Sequence, residues 1–191
     1  MPGVFRSLGA TIAVGAVSGL VVAGAGSRLA MRLIALADDR EDFGFRTDAE
    51  AIVGEATVSG TLFVLFVGIV LGVIGAFLYL GLRRWLPVTP VYRTLVFAIV
   101  IVGLGLALTI EGNQGDFVFL HTVLSIVAFA AVLLLYGLVV PPLLDWLSPP
   151  AVGRSLWGRG LVAAILVAAL SVGALAVKHA FEFADGSRLP G

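Results

Sequence analysis

The chain has 191 residues, of which 60% are hydrophobic and 13% charged, with a mean hydropathy of +1.10. Soluble domains run nearer about 45–50% apolar and roughly 25% charged, so this chain has too few polar groups to cover a water-facing surface, and lipid is the solvent that removes the need. Zero net charge with scattered basic residues argues against a nucleic-acid partner, and the absence of cysteine excludes disulfides, thiolate metal sites and a cysteine nucleophile.

Stretches free of Asp, Glu, Lys and Arg run 7–27, 56–82, 94–110, 117–144 and 160–177. A spanning helix needs about 20 mostly apolar residues, and all five stretches come close to that length or exceed it. A spanning barrel would alternate apolar and polar residues, which the run 62–80 does not do. The expectation is an all-α integral membrane bundle forming one domain, with spans near 7–27, 60–82, 91–110, 117–140 and 158–177.

Taken in order, the first span begins after Arg6 and carries an apolar run into Ala23-Gly24-Ala25. That pattern has a rival reading as a secretory signal with a small-residue cleavage site. Arg28 to Ile34 nevertheless continue the helical pattern past that site. The segment 37–56 is the most polar and reads as a solvated loop. Within it Thr47-Asp48-Ala49-Glu50 has the form of a capping box, which starts a helix outside the membrane and feeds the second span. Such a helix would reach roughly 50 Å by Leu82, so it must protrude or break near Gly54 or Ser59-Gly60. The third span borrows Val91 and Tyr92, with Arg93 snorkelling from the interface. Pro87 and Pro90 end the link before it, and Pro141-Pro142 end the fourth span. Residues 143–147 then read as a short interfacial segment, and the chain after His179 as a frayed end.

Orientation follows the Lys and Arg residues near span ends. With the N-terminus inside, Arg6, Arg83, Arg84, Arg93, Arg154 and Arg159 lie in the cytoplasm. Arg28, Arg32, Arg40, Arg46, Lys178 and Arg188 lie outside. The count is even, but the short link 83–93 concentrates three arginines, which favours N-in and C-out. Every Trp and Tyr falls at or near that inner boundary, whereas aromatic belts normally mark both interfaces.

Twenty-four glycines include two GxxxG pairs, Gly15 with Gly19 and Gly68 with Gly72, and a small-xxx-small pair at Ala169 and Gly173. Because lipid supplies no hydrophobic drive between helices, close backbone approach supplies the attraction instead. Packing within the bundle is the simplest use of these faces, and a homo-oligomer or a partner subunit's helix the alternative. The lipid bilayer itself is the one partner the composition requires.

Candidate functional residues gather near the proposed outer boundary: Arg28, Arg32, Glu111, Asp116, His121 and His179. Arg28 and Arg32 share one helical face, where they either stop the helix as interfacial arginines or hold an anionic group, with Glu111 and Asp116 as nearby acids. His121 and His179, with those acids and Glu182, have the donor types of a metal or proton-relay site but no ligand spacing such as HExxH. Hydrogen-bonded structural histidines are therefore expected, with no metal or other cofactor. No span carries a charge near its centre, unlike the mid-membrane sites of ion-coupled transporters. Ser125 and Ser171 have no evident base at their depth for a hydrolase.

The stretch with Gly60-Thr61-Leu62-Phe63, glycine-spaced aliphatics, Tyr79-Leu80 and Arg83-Arg84-Trp85-Leu86-Pro87 resembles small multi-pass membrane proteins of bacteria whose function is uncharacterised. The resemblance covers about a seventh of the chain and implies a bacterial plasma membrane but no activity. The expected role is a scaffold or accessory subunit of a membrane complex. The alternative is a small oligomeric transporter or channel with an outer charged vestibule.

Overall fold

A computed structural model describes residues 2–37, 58–87, 89–112, 122–149 and 156–185. All the regular structure among them is helical. One continuous helical rod comprises α1 (Pro2–Ser18), a π segment (Gly19–Ala25) and α2 (Gly26–Ala37). It is followed by α3 (Val58–Leu82), α4 (Pro90–Gly112), α5 (Thr122–Leu147) and α6 (Leu156–Ala184). Among the described residues, five helices are long and apolar enough to cross a membrane. A helix satisfies its own backbone groups, which is what a hydrocarbon solvent demands.

The rod of α1 and the π segment lies along α3, α4 lies along α6, and α5 joins the two pairs by touching α4, α1 and α2. Glycine sets the first contact. A Cβ on Gly15 would stand 2.7 Å from the Val73 Cα, one on Gly68 would stand 2.7 Å from the Gly24 Cα, and one on Gly19 would strike the Gly68 carbonyl. The second pair uses the same device, since Gly173 would meet the Gly103 Cα at 2.9 Å. Both GxxxG pairs and the Ala169–Gly173 pair are thus covered within the chain. Tyr136 of α5 closes the junction with α3, donating its hydroxyl to the Gly72 carbonyl at 2.5 Å.

The outward surfaces are apolar: Phe66 is 64% exposed on α3 and Val167 64% on α6. Such continuous apolar exposure belongs against lipid rather than water.

Several boundaries differ from expectation. Pro141 and Pro142 do not end the fourth helix, and 143–147 are the last turns of α5. Proline removes two helical hydrogen bonds, but Val140, Pro141 and Leu144 are buried and Asp145 is held by two other helices, so tertiary contacts carry the helix through. Residues 180–184, expected within a frayed end, continue α6, with Ala180 fully buried and Lys178 paired to Glu182 at 3.3 Å; residues 186–191 lie outside the described residues. Gly60 lies within unbroken α3, so no break occurs at Ser59-Gly60. The capping box at 47–50 and the polar loop through residue 56 lie outside the described residues, apart from residue 37 at the end of α2.

Candidate functional site

Polar side chains concentrate at the two ends of the bundle, and the better-built group is the one the sequence reading passed over. Arg93 is not a snorkelling residue. One turn into α4, its side chain is 8% exposed, and its Nη1 lies 3.0 Å from Asp145 Oδ2 on α5. The other carboxylate oxygen, Oδ1, accepts the Tyr79 hydroxyl of α3 at 2.9 Å. Tyr79 is itself buried, with its ring edge-on to Phe97 at 5.0 Å. One carboxylate therefore holds α3, α4 and α5 together where apolar chain gives way to polar. Leu82, Leu86 and Leu144 are buried in the core cluster that also includes Tyr79 and Phe97, and low surrounding polarity strengthens such charge-assisted bonds.

Local structure places each member. Pro90 opens α4, where its missing N–H costs nothing, and Arg93 follows three residues later. Asp145 reaches its depth because α5 runs past both prolines. Beside it, Arg83 Nη1 donates to the Ser148 carbonyl at 2.8 Å, tying the end of α3 to the end of α5. A sequence signal for this group did exist. Asp145 closes the charge-free stretch 117–144, Arg93 opens the stretch 94–110, and an acid amid arginines at one depth marks a pair.

At the opposite end the expected cluster divides. His179 and Glu111 do meet: Nδ1 lies 2.6 Å from Oε1, and because a carboxylate only accepts, the Nδ1–H donates. His179 also stands edge-on to Phe183. Arg28 faces α3, directing Nε at 3.1 Å and Nη2 at 2.8 Å to the Thr61 hydroxyl. Arg32 is exposed. Asp116 and His121 lie outside the described residues. No group of three or more His, Asp or Glu side chains is placed to hold a metal among the described residues. The Ser125 hydroxyl is buried without a hydrogen-bond partner among the described residues, and Ser171 faces outward on α6.

The chemistry available at the Asp145 end is therefore clamping: both oxygens of the carboxylate are engaged, and its charge is offset by a guanidinium. At the other end the Glu111 carboxylate is 44% exposed on its side chain and can reach solvent or headgroups. Helices with apolar outer faces, glycine contacts inside and, among the described residues, charged groups only at the ends define the class: a multi-pass α-helical membrane bundle. No protein-family model matches the chain, and neither a curated protein nor a solved structure matches it.

Proposed function

We propose that this chain is a scaffold or accessory subunit of a membrane complex, lying in a bacterial plasma membrane with its N-terminus in the cytoplasm and its C-terminus outside. The observation that carries the role is the outward face of α6. Its inward side, Ala169, Gly173, Ala176 and Ala180, is buried in the bundle. Its outward side also carries a row of small residues, Gly160, Ala164, Ala168, Ser171 and Ala174, all exposed, set among the exposed Leu161, Val167, Leu170 and Leu175. The small residues share a face at steps of three and four. Large aliphatic side chains suit lipid, whereas small residues with a hydroxyl among them suit the close approach of another helix.

The orientation rests on charge near the span ends. Among the described residues, the Asp145 end carries Arg6, Arg83, Arg84 and Arg93 against one acid. The other end balances Arg28, Arg32 and Lys178 with Glu111, Glu182 and Asp185. The positive end belongs in the cytoplasm.

The competing reading, a small oligomeric transporter or channel with an outer charged vestibule, draws on Glu111, His179 and Arg28 at one end. Between that level and Asp145 the described spans hold hydroxyls but no charge. Thr109 and Tyr136 already donate to helix carbonyls of Gly105 and Gly72. A dry middle supports the subunit reading over ion-coupled transport.

Extraction from the native membrane in a mild detergent, followed by native mass spectrometry, tests the proposal. A stoichiometric partner that is lost on Ala168→Leu with Ser171→Leu, while helix content is kept, is the expected result. A lone monomer or a homo-oligomer would refute the subunit reading and put transport first.

A further inference from the structure

The Asp145 end holds more positive charge than its carboxylate occupies. Asp145 engages Arg93, but neither Arg83 nor Arg84 meets a carboxylate among the described residues. Arg83 uses Nη1 for the Ser148 carbonyl, while a guanidinium carries five N–H donors in a fork matched to phosphate oxygens. Arg84 is exposed, its guanidinium carbon 4.0 Å from the Trp85 ring centre.

The backbone beneath them is fixed. Past Leu82, the last residue of α3, the Arg83 N–H donates to the Tyr79 carbonyl at 2.8 Å and the Trp85 N–H to the Leu82 carbonyl at 2.9 Å. Both guanidiniums are thus held on a short turn, one by a carbonyl and the other on an indole face, with less freedom left to lose on binding. Their depth is set by the 25-residue apolar helix that precedes them, which ends where headgroups begin. Tyr92 and Trp146, at the same end, are 64% and 78% exposed, and such rings favour the headgroup level.

We infer that Arg83 and Arg84 form a binding site for the phosphate of an anionic phospholipid, seated on the turn after α3 against the end of α5. Two arginines at successive positions, neither meeting an acid among the described residues and both on the turn where the apolar helix ends, match a phosphodiester carrying net negative charge. A zwitterionic headgroup brings its own cation into the same space and fits less well. The site depends neither on the subunit role nor on which leaflet this end faces.

The test is native mass spectrometry of the purified full chain offered equal amounts of phosphatidylglycerol and phosphatidylcholine with identical acyl chains. The chain is expected to retain phosphatidylglycerol preferentially. Arg84→Gln should weaken that retention about fivefold, and Arg83→Gln with Arg84→Gln about 25-fold. Arg84 is exposed, so the single variant should keep its helix content, measured in the same micelles by circular dichroism. Arg32→Gln, an exposed arginine at the opposite end, should leave retention unchanged. Equal retention of the two lipids, or an equal loss from Arg32→Gln, would overturn the site. Displacement of the lipid by excess inorganic phosphate would overturn the lipid as occupant and leave a free-anion site.

Discussion

Replacing Asp145 by alanine strikes the place where three helices depend on one side chain. The substitution removes the counter-charge facing Arg93 and the acceptor of the Tyr79 hydroxyl together. Removing one partner of a fully buried ion pair costs about 3–5 kcal/mol, because the remaining charge loses its compensation. Asp145 keeps 20% of its side-chain surface exposed, so solvent screens part of the effect and about 2–3 kcal/mol is expected. Asp145→Asn keeps an oxygen for Tyr79 and loses only the charge, so its cost should be smaller, about 1–2 kcal/mol. Replacing both partners, Asp145→Leu with Arg93→Met, removes the orphaned charge and should recover part of the loss, leaving about 1–2 kcal/mol for the Tyr79 hydroxyl that still lacks its acceptor. Helix content followed by circular dichroism during titration of detergent micelles with a denaturing surfactant measures all four proteins. The reasoning fails if Asp145→Ala lies within about 0.5 kcal/mol of the parent, or if the double replacement is less stable than Asp145→Ala.

Other contacts make separate predictions in the same assay. Gly19→Val forces a side chain onto the Gly68 carbonyl and should cost at least about 1–3 kcal/mol by overpacking, whereas Gly81→Ala, with nothing within 4 Å, should be neutral or stabilising by about 0.5–1 kcal/mol. A comparable loss from both would show that helix propensity, not close approach, governs these glycines. Tyr136→Phe deletes the hydroxyl that reaches the Gly72 carbonyl and should cost about 0.6 kcal/mol, the average for hydrogen bonds between membrane helices; a loss several times larger would indicate that the ring itself had repacked. Glu111→Gln weakens the contact with His179 on a half-exposed side chain, so a loss of no more than about 1 kcal/mol is expected. A loss as large as that of Asp145→Ala would place the main clamp at the wrong end.

The class of this protein was legible before any coordinates, because lipid imposes requirements that composition alone reveals. Charge-free stretches of about 20 residues must be helices in hydrocarbon, and the described residues hold five such helices. Glycines at steps of four announce close helix contact, and Gly15, Gly19, Gly68 and Gly72 do lie in such contacts. Contact between Glu111 and His179 was within reach of the same reasoning, since Glu111 closes one charge-free stretch and His179 lies two residues past the end of another.

What sequence order could not decide was which helix lies beside which. Arg93 at the edge of an apolar stretch has two physically sound fates, reaching outward to water or turning inward to an acid. The choice depends on α5 standing beside α4. Likewise, two adjacent prolines end a helix on local energetics, and only the buried neighbours of Val140 and Leu144 and the grip on Asp145 carry α5 beyond them. Local chain chemistry determined that there are five apolar helices and where the glycine faces lie. Tertiary structure alone decided that an aspartate, a tyrosine and an arginine from three helices meet, because side-chain pairing across helices is a property of their arrangement and not of any one helix.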